Sequence, residues 1–197
     1  MLESSNLVGQ YVSDLARVLT SACVTEKNGG EIALAQAVSR LGQDMRQAHD
    51  RGNRIIFVGN GGSAGICSHL ATDFSKNGGM RALALNDGAV LTCLGNDFGY
   101  EHVFAKQVEW HAGKNDILVA ISSSGQSPNI LNAVQAGRLR GCHVVTLSGF
   151  RPDNPLRRLG DMNFYLAYQQ YGIVEIGHLA LLHSVLDIQM GWRQAQN

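Results

Sequence analysis

Four apolar residues without alternation, Ile55-Ile56-Phe57-Val58, run directly into Gly59-Asn60-Gly61-Gly62-Ser63. A short β-branched and aromatic run of this kind reads as a strand buried on both faces, as in a parallel sheet. Parallel strands need long crossovers, normally helical, so this one stretch commits the chain to an α/β layout. The three glycines within four positions permit positive φ and let a ligand approach bare backbone. Ser63 stands where a helix N-cap is expected. A strand, a glycine loop and a helix start aim several N–H groups at one spot, a setting that suits an anion. Within the helix expected over residues 64–75, His69 and Asp73 are four apart and share a face.

The remaining elements follow the same alternation. Leu7, Tyr11, Leu15, Val18 and Ala22 form one helical stripe, broken by Asn28-Gly29-Gly30. Ile32, Ala35, Val38, Leu41, Met45 and Ala48 form a second stripe, closed by Gly52. These two helices precede the first strand, and their stripes are expected to join copies of the chain or, alternatively, to pack against the same chain's sheet. Further strands are expected at 82–85, 117–121, 143–147 and 162–167, the last at an edge. Further helices are expected at 90–94, at 103–110, from Pro128 to Gly141 and over 172–192. Gly95-Asn96-Asp97-Phe98-Gly99 reads as a polar loop. The layout is residues 1–52 as an N-terminal helical extension and 53–197 as the sheet-bearing unit, one structural domain overall.

Composition narrows the function. The 197 residues carry 45% apolar and only 16% charged side chains, with a formal net charge of +0. So little charge points to surface hidden in an oligomer, and neutrality excludes a nucleic-acid binder working through a broad basic field. Cys23, Cys67, Cys93 and Cys142 have no paired spacing and read as buried free thiols of a reducing cytosol. No run approaches the ~18–20 apolar residues of a membrane span, and the N-terminus lacks the pattern of a signal peptide. A cytoplasmic protein is expected.

The glycine loop is neither a dinucleotide fingerprint nor a Walker loop, because Ala64-Gly65 follows the serine and no lysine is present. The segment Ser122-Ser123-Ser124-Gly125-Gln126-Ser127-Pro128 is more telling. Four hydroxyls lie between a buried strand and a proline-started helix capped by Ser127, which offers hydroxyl and backbone donors to one phosphate. The final helix sets Glu175, His178 and His183 in an otherwise apolar stretch. At 100° per residue His183 lies about 80° from Glu175, whereas His178 and His183 diverge by about 140°, so one of the two imidazoles is structural. Two imidazoles and two carboxylates, His69 and Asp73 with Glu175 and one of the last helix's histidines, make a donor set suited to Zn²⁺.

Taken together, Gly59–Ser63 with His69, Gly95–Glu101, Ile121–Asn129 and Glu175-Ile176-Gly177-His178 with His183 resemble the phosphoheptose isomerases of the sugar isomerase (SIS) domain family. The resemblance covers nearly the whole chain in order. It implies a three-layer α/β/α fold with a flavodoxin-like five-stranded parallel sheet and a homotetramer with active sites between subunits. It also implies one Zn²⁺ per subunit and conversion of sedoheptulose 7-phosphate to a glycero-manno-heptose 7-phosphate. By position, the family's metal ligands fall on His69, Asp73, Glu175 and His183. Its sugar-phosphate contacts fall on Asn60, Gly61, Gly62, Ser63, Asn96, Asp97, Ser122, Ser123, Ser124 and Ser127. The chain departs from the pattern at Asp73 (a glutamate in the family), Glu175 (a glutamine) and Gly172 (an aspartate). The segment Ser75–Arg81 is also short and lacks an arginine-proline element, with Lys76 as a partial replacement.

The mechanism expected is proton transfer through an enediol(ate), with Asp73 as base, His183 as partner acid/base, and Glu175 among the substrate contacts. Because aspartate reaches about one methylene less than glutamate, either the helix sits closer or the base role passes to Glu175 or His183. Two alternatives remain at this level: an isomerase for another phosphosugar, and a non-catalytic SIS regulator that binds a sugar phosphate or a protein.

Overall fold

The structure, a computed structural model, describes residues 4–192. In chain order it comprises α1 (Ser4–Thr20), a hairpin of β1 (Cys23–Glu26) and β2 (Glu31–Ile32), α2 (Leu34–Asp50), β3 (Ile55–Gly59), α3 (Gly62–Lys76), β4 (Ala82–Ala84), α4 (Gly88–Phe98), α5 (Val103–His111), β5 (Ile117–Ser122), α6 (Pro128–Leu139), β6 (His143–Gly149), β7 (Met162–Leu166) and α7 (Tyr171–Gln189). Short 3₁₀ turns occupy Tyr100–His102 and Pro155–Arg158.

One sheet runs through the molecule in the order β2-β1-β7-β6-β5-β3-β4. From β7 to β4 the pairs are all parallel, which supplies the five-stranded parallel sheet. Two further strands extend it, since β1 pairs antiparallel with β7 and β2 antiparallel with β1. The sheet therefore has seven strands, not five, and β7 is interior and wholly buried where an edge strand was expected. The hairpin was read as a helix break because β1 is only four residues long. Its turn at Asn28-Gly29-Gly30 is closed by Glu26 N–H to Gly30 O (2.8 Å) with Gly29 at φ +83°.

Side chains alternate across the strands into two cores. Phe57, Val119, Ile121, Val145 and Leu147 meet α2, α3 and α7 on one face, and Ile56, Val58, Leu118, Ala120 and Val144 meet α4, α5 and α6 on the other. The α2 stripe, Ala37, Val38, Leu41, Met45 and Ala48, lies inside the first core. Residues 1–52 thus contribute a strand and core packing as well as helices. On α1 the stripe is split: Val18 is buried, whereas Leu7, Val8, Tyr11 and Val12 are exposed. Residues 95–98 continue α4 instead of forming a loop. Asp87 caps that helix by accepting from Val90 N–H (3.0 Å), and Gly99 at φ +87° ends it. Of the four free cysteines only Cys67 and Cys142 are buried. The helix α7, 19 residues long, is apolar enough by length and composition to cross a membrane, contrary to the expectation of no such run. Here it is a core helix, with Ile173, Val174, Leu181, Leu182, Val185 and Leu186 buried.

His178 is the polar exception in that helix. It is fully buried with Nε2 3.1 Å from Ser148 O, and Nδ1 has no partner. Burial pushes its pKa down from 6.5 to about 4. A folded-state value below the unfolded one means that the unfolded chain binds the extra proton between these pH values. Its contribution to stability is therefore complete above about pH 6.5 and declines as pH falls towards 4, by roughly 3 kcal/mol over the window. Urea titrations at pH 7 and pH 4.5 should show this loss in the native sequence, and His178→Gln should flatten the difference; an unchanged slope in the variant would refute the assignment.

Candidate active site

The strand β3 is followed by α3 on one face of the sheet, and its neighbour β5 by α6 on the other. That divergence between adjacent parallel strands opens a crevice at their C-terminal ends, the topological switch point where α/β sheets bind ligands. A cavity of about 230 Å³ fills it, lined by Asn60, Gly61, Gly62, Ser63, Ile121, Ser122, Ser123, Ser124, Ser127, Tyr171 and Glu175.

The glycine loop is fixed by contact as well as by φ. Gly61 adopts φ +53°, ψ −122° and is itself the N-cap of α3, so Ser63 lies inside the helix and not at its cap. A β-carbon at Gly62 would overlap the carboxylate of Glu175, and one at Gly59 would lie 2.8 Å from Ser63 Cβ. With a larger residue at position 62 the Glu175 carboxylate would have to swing away from the start of α3. Asn60 is held by a reciprocal amide pair with Asn129 at 2.8 and 2.9 Å, and Tyr100 donates to its Oδ1 at 3.2 Å. Its side chain thus ties the glycine loop to the first turn of α6, a bracing role not foreseen from the sequence. Asn129, Tyr100 and Tyr171 were missed; the position of Asn129 directly after Pro128, in the first turn of a helix, was the available signal.

In the second loop Ser122 Oγ lies 3.2 Å from Ser127 Oγ and accepts from Gly125 N–H at 3.2 Å. Ser124 Oγ accepts from Gln126 N–H at 3.3 Å. Ser123 is buried with its hydroxyl unpartnered. Ser127 caps α6 by position, with Pro128 in the first turn, but its side chain makes no capping bond and is spent on Ser122. Among the described residues no lysine or arginine lines the cavity, so an anion here would meet hydroxyls and helix-start N–H groups in place of a full positive charge. Asn96 and Asp97 are not brought to it. They are exposed at the end of α4, where Asn96 Nδ2 donates to Asp97 Oδ1 at 2.9 Å and Cys93 Sγ lies 3.6 Å from Asp97 Oδ2.

A second cluster joins α3 to α7. His69 Nε2 lies 2.9 Å from His183 Nε2 and 3.4 Å from Asp73 Oδ2, and His183 Nε2 lies 3.9 Å from the same oxygen. These three ligand atoms all lie within 4.8 Å of one another, close enough to hold one metal ion together. Glu175, expected as the fourth ligand, is not in the group. It precedes His183 by eight residues, about 12 Å along the helix axis, and its carboxylate is turned onto Gly62. The angular argument placed the two on one side of α7 but carried no axial term.

Residues 10–149 match the SIS domain family. The chain is 36% identical over 154 residues to the phosphoheptose isomerase of Pelobacter propionicus, covering 75% of this chain and 81% of that one. Its fold is similar to the phosphoheptose isomerase of Neisseria gonorrhoeae, with a TM-score of 0.81, 27% identity, and 94% and 95% of the two chains covered. It is equally similar to that of Francisella tularensis, with a TM-score of 0.81, 25% identity, and 95% and 98% covered. The crevice at the β3–β5 switch point, with its glycine and serine loops, therefore sits in a known frame: the chain belongs to the SIS domain family, among the phosphoheptose isomerases.

Proposed function

We propose that the protein is an aldose–ketose isomerase that converts sedoheptulose 7-phosphate to a glycero-manno-heptose 7-phosphate by proton transfer through an enediol(ate). The observation that carries this reading is the cavity itself. It is lined by the starts of two helices and the hydroxyls of the serine loop, and the carboxylate of Glu175 stands at the α3 start. The serine loop takes the phosphate, with the unpartnered Ser123 hydroxyl and the Asn129 N–H, the first that α6 has after Pro128, as donors. Remote binding of this kind positions the reacting end of the sugar. The printed names of the relatives support the substrate class.

His69, Asp73 and His183 are the residues to hold one Zn²⁺ per subunit. When bound there, zinc would supply a Lewis acid. In this role Asp73 and His69 face His183 across the contact between α3 and α7. Leu7, Val8, Tyr11 and Val12 on the outer face of α1 are unusual exposed apolar residues, and they support a homotetramer built in part on this helix. The working compartment is the cytoplasm.

Three outcomes are expected. Purified protein should retain about one zinc per subunit by elemental analysis, and His183→Ala and Asp73→Asn should each lose it, whereas His178→Ala should keep the metal and melt at a lower temperature. Ser122→Ala combined with Ser124→Ala should raise KM about tenfold or more with the melting temperature little changed, since hydrogen bonds to a charged group contribute about 1.5–3 kcal/mol each; an unaltered KM would remove the serine loop from the site. Light scattering at micromolar protein should give about four times the 21.2 kDa chain mass, and a monomeric mass would end the tetramer reading.

A further inference from the structure

The cavity at the β3–β5 crevice has two helix starts, and both could receive an anion. The α3 start is already occupied by one. Glu175 brings its carboxylate onto Gly62, the first residue of that helix, into the space a β-carbon would take there. A dianionic phosphate placed there would stand against a fixed negative charge. The α6 start carries no such charge and is ringed by Ser122, Ser123, Ser124 and Ser127. The two ends of the cavity are thereby distinguished: the phosphate belongs at the serine loop, and the far end of the sugar, which bears the carbonyl, belongs beside Glu175.

Glu175 is the only carboxylate lining that cavity among the described residues, and Tyr171 is its only other titratable neighbour there. Asp73 does not line it. Its Oδ2 lies 3.4 and 3.9 Å from the His69 and His183 imidazoles and is directed at the metal-type triad. A base for carbon acids must reach the proton it takes, and geometry precedes pKa in choosing one. We infer that Glu175 is the catalytic base: it carries the proton between the two reacting carbons of the sugar phosphate, while the serine loop holds the phosphate at the opposite end. This rests on the isomerase reading above.

The step balances within the substrate. A Glu175 oxygen takes a proton from the hydroxymethyl carbon of the ketose. The C–H electron pair becomes the carbon–carbon double bond, and the carbonyl π pair moves onto the neighbouring oxygen, which gains a proton. In the second half the first hydroxyl gives up its proton and its electron pair forms the new carbonyl. The double-bond pair then takes the proton from Glu175 onto the second carbon. One carbon is oxidised and its neighbour reduced, hydroxyl protons exchange through water, and Glu175 ends as the carboxylate it began.

The test is Glu175→Gln, which keeps the shape and hydrogen-bonding capacity of the side chain and removes the base. With sedoheptulose 7-phosphate, kcat should fall by about 10²–10⁴-fold while KM stays within about threefold. Incorporation of deuterium from D₂O at the hydroxymethyl carbon should cease, and zinc content and melting temperature should be unchanged. Glu175→Asp, which keeps the charge but retracts it by about one methylene, should restore a measurable part of the exchange. A Glu175→Gln variant that keeps kcat within about threefold, or that loses zinc, overturns the inference and leaves the isomerase reading intact. A native protein that neither isomerises nor exchanges sedoheptulose 7-phosphate, nor any ketose phosphate in a panel, overturns both.

Discussion

Pairing β3 directly beside β5 in parallel register, Ile55 opposite Ile117 through Gly59 opposite Ile121, is the constraint from which the site follows. Both strands are buried on both faces, so neither can shift or leave the centre of the sheet without exposing Phe57, Val119 or Ile121 to water. Each such side chain is stabilised by about 1.5–3 kcal/mol through its burial. With the strands locked, their C-terminal ends must lie side by side. The glycine loop and the serine loop are then neighbours although about sixty residues separate them in the chain. The crevice between them exists because α3 and α6 leave on opposite faces of the sheet.

What the strands bring together, side-chain amides hold in register. The reciprocal bonds between Asn60 and Asn129 join the two loops directly, and Tyr100 adds a third contact from the 3₁₀ turn after α4. A clamp of neutral amides contributes rigidity without adding charge to the crevice. The same economy explains a cavity with no cation on its wall. Oriented N–H dipoles and hydroxyls are fixed in place before the ligand arrives, whereas a long lysine or arginine would have to be ordered.

α7 connects the core to the chemistry. One stripe of the helix is buried against the sheet, and its polar residues are sorted by what they meet. Glu175 turns to the α3 start, His183 turns to His69 and Asp73, and His178 is sunk in the core against Ser148 O. His178 is kept neutral by burial, so it works as a structural amphiphile. The two other residues face water-accessible space and remain free for polar work. Because α7 packs on both α2 and α3, movement of the helix would disturb core and site together.

The amino-acid sequence by itself determined the alternation of buried strands and crossover helices, the two anion-directed loops, and the i,i+4 pairing of His69 with Asp73. All of these are local: they depend on periodicity, on glycine and proline chemistry, and on the fixed angle per residue in a helix. Only the tertiary structure decided that β1 and β2 extend the sheet past β7, since a four-residue strand has too little pattern to read without its partner. It likewise decided that Asn60, while lining the cavity, also braces it, and that Asn96 and Asp97 are not among the residues lining it. Glu175 is the clearest case. Its angle around α7 was legible, but its neighbour was set by axial distance and by the absence of a β-carbon at Gly62, and both depend on how two helices dock across a sheet.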